Sequence, residues 1–276
     1  FNDLSWERDG VARVDASQLE GNEWSVETPD GDPVPSQVEK TDTGKVLVFS
    51  ARDIPSLGYK TYRLIRRKQA HLTPEQGANF YENDYYVIEF GRGGIKRLYD
   101  KELGKEVFQT TRFPGGDLFH LGYSGNGAGE FVQITKPNYH GMERGHEKTG
   151  TWKQVVSGPV YTKFESGFKM DGFSVIQTIT VFHDRKQVDF EYDIPDWNGA
   201  HNRQLRVLFP LKMKPDSRVS YDVPMGMVHV GEDELKMRPQ GWAWGGTYWQ
   251  KPEEIHPREI QNFMTINRDR KSTRLN

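Results

Sequence analysis

The sequence predicts an all-β protein of the sandwich class, and three observations carry that prediction. Apolar and polar residues alternate with period two along many short segments, as they must when one face of a strand packs and the other meets water. Glycine and proline are frequent, 28 and 15 in 276 residues, and they punctuate those segments where turns need them. No stretch of about 12 residues keeps a helical period with capping residues at its ends.

In chain order, short strands are expected at residues 11–14, 24–27, 46–49 and 59–65, between polar turns. Arg66-Arg67-Lys68 then runs into His71-Leu72-Thr73-Pro74-Glu75-Gln76-Gly77, a charged stretch with Pro and Gly of the kind that joins domains. Residues 1–70 are therefore expected to form a small β-sandwich that leans on a neighbour, being too short for a generous core. Residues 71–268 are expected to form one large β domain. Within it, residues 85–90 and 95–99 flank Gly91-Arg92-Gly93-Gly94, whose glycines suit a tight hairpin turn. The β-branched run 175–182 precedes residues 188–194, in which Val188, Phe190, Tyr192 and Ile194 alternate with Asp189, Glu191 and Asp193. Across the polar His183-Asp184-Arg185-Lys186 the two predict a second hairpin with one wet face. Leu205, Val207, Phe209 and Leu211 predict a further strand, with Arg206 opposite and Pro210 marking an edge or bulge.

Lys+Arg and Asp+Glu number 37 and 39, a formal charge of −2 that makes no electrostatic case for nucleic acid or an anionic membrane as partner. No window approaches the run of about 20 apolar residues that a membrane helix needs, so a soluble chain is expected, in a compartment left open. The absence of cysteine excludes a disulfide framework, a thiolate nucleophile and Cys-ligated zinc. The chain opens at Phe1 without a Met, a basic region or an apolar signal core. Residues 269–276 read like a translated sequencing adaptor. A fragment bounded at both ends is expected, its last eight residues foreign to the fold.

Eight histidines invite a search for metal, but no His-x-His, His-x-Asp or His-Glu-x-x-His occurs, and no metal is expected in this segment. Gly125-Asn126-Gly127-Ala128-Gly129 is followed by an apparent strand at residues 131–134 rather than a helix, so it lacks the helix N-terminus of a phosphate cradle. Its flanks, Tyr123 and Glu130, put a hydroxyl and a carboxylate on a loop that could touch sugar. Asp196-Trp197-Asn198-Gly199 offers the planar face of Trp197 beside polar groups, either as a sugar platform or as part of the core. Trp242, Trp244, Tyr248 and Trp249 form an aromatic group suited to stacking or to an interface. Carboxylates such as Asp193 with Asp196, or Glu232 to Glu234, do not by adjacency supply the spacing across a cleft that glycoside hydrolysis needs. No Ser/His/Asp constellation is readable.

Four segments resemble the non-catalytic C-terminal half of α-mannosidases of glycoside hydrolase family 38. Phe1-Asn2-Asp3-Leu4-Ser5-Trp6-Glu7-Arg8 is similar to that family's "FNPLSWxR", and Ile54-Pro55-Ser56-Leu57-Gly58-Tyr59-Lys60-Thr61-Tyr62 to its "xPxLGYxTY". Glu82-Asn83-Asp84-Tyr85-Tyr86, Gly94-Ile95 and Leu98-Tyr99-Asp100-Lys101 resemble the opening of its large domain, and Gly158-Pro159-Val160 with residues 203–211 resemble its middle. The resemblance implies a large mutarotase-like β supersandwich behind the small sandwich. It also implies a retaining, zinc-dependent enzyme acting on α-mannosides, with zinc and an aspartate nucleophile in an N-terminal barrel outside this sequence. No cofactor is then expected in the fragment itself; its partners would be that barrel and carbohydrate. The loop at Gly127-Ala128-Gly129-Glu130-Phe131 stands where relatives carry a Tyr that reaches the sugar, with Gly129 or Glu130 in its place. Tyr123, Glu130 and Trp197 are the substrate-proximal candidates. The other readings are a stand-alone carbohydrate-binding or aldose-epimerase-like module, for which His201 and Glu191 would be the acid/base pair, and a pure interaction module.

Overall fold

The computed structural model describes residues 1–21, 24–41, 44–67, 79–123, 137–148, 150–199, 203–233 and 260–268, and only the backbone for Tyr123, residues 137–141 and Arg268. Of the expected linker from Arg66 to Gly77, Arg66 ends the last strand of the small sandwich and residues 68–77 lie outside the described residues, as do the glycine-dense loop with the strand behind it, the aromatic group at 242–249, His201 and the tail at 269–276. The described residues are strands and turns with a single helical turn, so the all-β class is observed. They fall in two compact units.

The first unit comprises Phe1–Phe119, Glu143–Gly199 and Val207–Pro210. It begins with β1 (Arg8–Asp15), β2 (Trp24–Glu27), β3 (Pro33–Val34), β4 (Ser36–Thr41), β5 (Gly44–Ile54) and β6 (Arg63–Arg66). These pair as two antiparallel sheets, β1-β5-β4 and β3-β2-β6. Val26, Val34, Leu47, Phe49, Ala51 and Ile54 bury between them. The strand expected at residues 59–65 is confined to β6. Just before it the chain is tied to its own start instead, with the Asn2 amide donating to the Gly58 carbonyl at 2.8 Å.

Next come β7 (Phe80–Glu82), β8 (Tyr86–Gly91), β9 (Gly94–Asp100) and β10 (Lys105–Glu106), a sheet ordered β10-β9-β8-β7. The hairpin of β8 and β9 closes as expected over Arg92-Gly93, with Gly91 opposite Gly94 and Gly93 at φ +82°. β11 (Asp117–Tyr123) and β12 (Pro137–Arg144) follow, then α1 (Gly145–Lys148) and the sheet β13 (Lys153–Ser157), β14 (Tyr161–Met170), β15 (Phe173–Phe182) and β16 (Val188–Asp193). The predicted hairpin of β15 and β16 is present, from Val181 opposite Val188 to Ile176 opposite Asp193. Its alternation is also as expected, with Asp189, Glu191 and Asp193 exposed and Val188, Phe190 and Tyr192 turned inward. Ile88, Phe90, Ile95 and Leu98 of the first sheet meet Phe164, Ile179 and Val181 of the second, which makes the pair a sandwich.

A polar and apolar joint fixes the small sandwich to the β14–β15 hairpin. Val48, Val160, Tyr161 and Phe182 form its apolar cluster. Gln37 Oε1 accepts from the amides of Val160 and Tyr161 at 2.9 and 3.2 Å, and Glu39 holds both Lys163, at 2.5 Å, and the Tyr161 hydroxyl. At the other corner Asp184 faces Arg52 and Arg185, at 3.6 and 2.9 Å. Burial alone would raise the Asp184 carboxyl, but bonds from Arg185 and Ser50 and the charges of Arg185 and Arg52 outweigh it and hold it below its ordinary value.

The second unit comprises His120–Met142, Ala200–Arg206 and Leu211–Asn276. It holds the sheet β19-β18-β20, whose members are β18 (Ser217–Val223), β19 (Gly226–His229) and β20 (Met264–Arg268). β17 (Arg203–Leu208) lies beside β11 in the order β12-β11-β17. The apolar face expected on this strand is the more open one: Leu205 and Val207 are each 37% exposed, whereas Gln204, Arg206 and Leu208 are half-buried. Period two told the faces apart without saying which one packs.

Pro224-Met225 turns β18 into β19 with Val223 opposite Gly226, and Met225 sits there fully exposed at φ +68°. That is the pattern of a type II turn with a bulky residue where glycine belongs. Met225→Gly is expected to stabilise the chain by about 0.5–1 kcal/mol, relief of left-handed strain less the extra unfolded-chain entropy of glycine. The thermal midpoint reads this out, and a fall would show that the Met225 side chain makes a needed contact.

Candidate functional site

Of the three predicted contact residues, Tyr123 ends β11 with only its backbone described and Glu130 lies outside the described residues. Trp197 is described. It follows β16 and lays its indole against Phe173, ring centres 4.9 Å apart and tilted 52°, while remaining 40% exposed. Phe173 belongs to a buried cluster with Leu118, Phe168, Met170 and Val175, so Trp197 covers that cluster and also shows part of its ring to solvent. Asp196 pins the same segment to the start of β15, accepting from the Ser174 amide and, at 2.8 Å, from its hydroxyl. The bonds from the Ser174 amide and hydroxyl hold the Asp196 carboxyl below its ordinary value, which keeps it an acceptor. Glu191, the carboxylate of the epimerase reading, stands exposed on β16, while its expected partner His201 is outside the described residues.

Two constellations that sequence reading missed are assembled by folding. In the first, the fully buried carboxylate of Asp117 accepts from the His146 amide at 2.9 Å and meets its ring Nδ1, across 29 residues. Burial raises the Asp117 carboxyl, and the bond and charge of His146 oppose that rise without cancelling it. A carboxylate at Nδ1 fixes the tautomer and turns of an imidazole, leaving Nε2 for other work. No local spacing signals this pair, because its members sit on β11 and α1.

In the second, Ser220 Oγ lies 2.6 Å from His229 Nδ1, and Asp233 is 4.0 Å from Nε2. The residue types are those of a hydrolase, but the geometry is not. Ser220 is wholly buried, so its hydroxyl meets no substrate, and Asp233 bonds instead to the His229 amide at 2.9 Å. This group ties β18 to β19. Among the described residues no three His, Asp or Glu side chains converge on a point that could hold a metal.

The polar residues of the quoted motifs act as clamps. Asn2 donates through Nδ2 to the carbonyls of Trp6, Ile54 and Pro55 and accepts from the Leu4 amide. Asn83 accepts from the amides of Tyr85 and Tyr86 and donates to the Phe182 carbonyl at 2.9 Å. Asp100, 4% exposed, caps the turn after β9 through the Leu103 amide at 2.8 Å and pairs with Lys186 at 2.9 Å. Each bridges segments distant in sequence or closes a turn. Residues 81–239 match the Glycosyl hydrolases family 38 C-terminal domain, a span that runs from β7 past β19 and covers more than half of the chain. No curated protein matches the chain.

Proposed function

The chain belongs to glycosyl hydrolase family 38 through its C-terminal domain, and from that membership we propose that it is the accessory half of a zinc-dependent, retaining α-mannosidase. It supports a catalytic barrel of the same polypeptide that carries the zinc and the aspartate nucleophile, and it hydrolyses nothing by itself. The observation that carries this reading is the role of the motif residues: Asn2, Asn83 and Asp100 are engaged in holding the scaffold, each by several bonds. A scaffold uses polar side chains in this way, whereas a catalytic site leaves them aimed at a cleft.

A second feature suits a surface that receives the barrel. Phe1, Leu57 and Tyr59 line one hollow of the small sandwich and are 64–96% exposed. Leu57 is also held at φ +46°, so a branched apolar residue is kept in solvent and in a left-handed backbone at once. In this reading Tyr123, Glu130 and Trp197 are the residues by which the accessory half reaches an α-mannoside.

The purified chain, assayed on an aryl α-mannoside with and without added zinc, is expected to show no turnover, and the same chain expressed in one polypeptide with its barrel to show it. Zinc-dependent turnover by the chain alone would overturn the assignment.

A further inference from the structure

Of the seven methionines in the chain, all but Met237 are described, and their thioethers differ widely in what surrounds them. Met170 is 6% exposed, packed among Leu118, Phe168, Phe173 and Val175, and Met142 is half-buried. Met213, Met227 and Met264 are 45–53% exposed. Met225 stands apart from all of these. It occupies the turn from β18 to β19 at φ +68°, and its side chain is wholly open to solvent. Val223 and Gly226 pair across that turn, so the sheet holds the backbone that presents the side chain. Glycine suits this turn better than methionine does, so stability gives no reason for a thioether there. A thioether sulfur is a soft nucleophile that reacts with a peroxide once the oxidant reaches its lone pair. Packing blocks that approach at Met170 and narrows it at the half-exposed methionines, whereas Met225 is open from every side that the turn does not occupy.

We propose that Met225 is a modification site, oxidised to methionine sulfoxide by hydrogen peroxide ahead of the other described methionines and without cost to the fold. The Met225 sulfur donates a lone pair to one peroxide oxygen, and an S–O bond forms as the O–O bond breaks. The proton on the attacked oxygen passes to the departing one, which leaves as water. Sulfur loses two electrons and the peroxide gains them, so no other reactant is needed. The sulfoxide is polar, and its effect depends on where it sits. At Met170 the new oxygen would be buried among apolar side chains without a hydrogen-bond donor. At Met225 it projects into water, and the turn keeps its conformation. The first oxidative event therefore falls where the fold is least affected, whatever the activity of the parent enzyme.

The test is a time course of the folded chain in dilute hydrogen peroxide at neutral pH, quenched with free methionine and read by peptide mapping. Met225 and Met227 share a tryptic peptide, so fragment ions assign the added oxygen between them. Met225 is expected to gain one oxygen several-fold faster than Met213, Met227 or Met264, with Met170 unmodified when Met225 is complete. In denaturant the described methionines are expected to react at similar rates, which ties the ranking to the fold. Met225→Leu is expected to remove the fastest step and leave the slower ones in place. The urea midpoint of the chain oxidised at Met225 alone is expected to match that of the untreated chain. A Met225 that reacts no faster than the half-exposed methionines, a ranking that survives in denaturant, or a midpoint that falls as Met225 is oxidised would each overturn the proposal.

Discussion

Replacing Gly116 with alanine is expected to cost about 3 kcal/mol or more, the sum of left-handed strain and overpacking at one position. Gly116 stands at φ +83°, and a β-carbon there would lie 2.6 Å from the Phe190 ring and 3.0 Å from the Tyr192 hydroxyl. Neither neighbour has room to retreat. Phe190 packs edge-on against Phe209 at 4.9 Å, and Tyr192 donates its hydroxyl to the Gly116 carbonyl at 2.5 Å. Buried Gln177 donates to the same carbonyl at 2.8 Å, while the Gly116 amide donates to Leu208 at 2.8 Å. Any shift that relieves the methyl group therefore breaks at least one of these bonds and strands a buried partner. Gly10→Ala is the matched control, because its φ is ordinary and its β-carbon would meet nothing within 4 Å. Urea unfolding of the three proteins measures the difference. Equal losses at the two positions would mean that the Gly116 passage is looser than its contacts indicate.

What could be read in advance divides along a physical line. The hairpins of β8 with β9 and β15 with β16 were legible because each is local: turn residues and alternating faces lie within about twenty residues, and period two encodes their register. Single-strand periodicity left more open. Leu205 and Val207 share a face as their spacing requires, yet that face is the open one, because burial is decided by what lies across the sheet. No local pattern singles out Gln37 or Glu39, and only folding brings them to Val160 and Tyr161 more than 120 residues away. Asp117 with His146, and Ser220 with His229, were hidden for the same reason. The motif residues Asn2, Asn83 and Asp100 carried the family signal without revealing their task, since a clamp and a catalytic group use the same side chains. Residue type alone leaves Trp197 as platform or core, and folding gives it a position between the two, laid against Phe173 and 40% exposed.

Asp117 allows a sharper experiment because its two isosteric questions, charge and shape, can be separated. Asp117→Ala leaves the His146 amide and ring nitrogen without their partner and is expected to cost about 3 kcal/mol. That is the lower end for breaking a buried pair, since the His146 side chain is 26% exposed and water reaches part of it. Asp117→Asn keeps an acceptor for the amide and offers a donor to Nδ1 of the other tautomer, so its loss should be clearly smaller. The pH dependence then follows from sign. Burial, with a smaller push from Glu147, raises the folded carboxyl above its ordinary 3.8 despite the bond from His146. The fold thus prefers the protonated form, and that contribution is fully present below the unfolded value and is lost as pH rises through the folded one. Wild type should therefore lose stability relative to Asp117→Asn as pH is raised from below 3.8 through the folded value, and the gap should level off beyond it. Asp100, Asp184 and Asp222 are each held below their ordinary value by bonds or charges that outweigh burial, and their contributions are lost in the opposite direction, on acidification. They act alike in wild type and variant, so they cancel in the difference and leave Asp117 as the group being read. Urea midpoints across a pH series give that difference directly, and a gap that is flat with pH would show that the charge of His146 fully compensates the burial of Asp117.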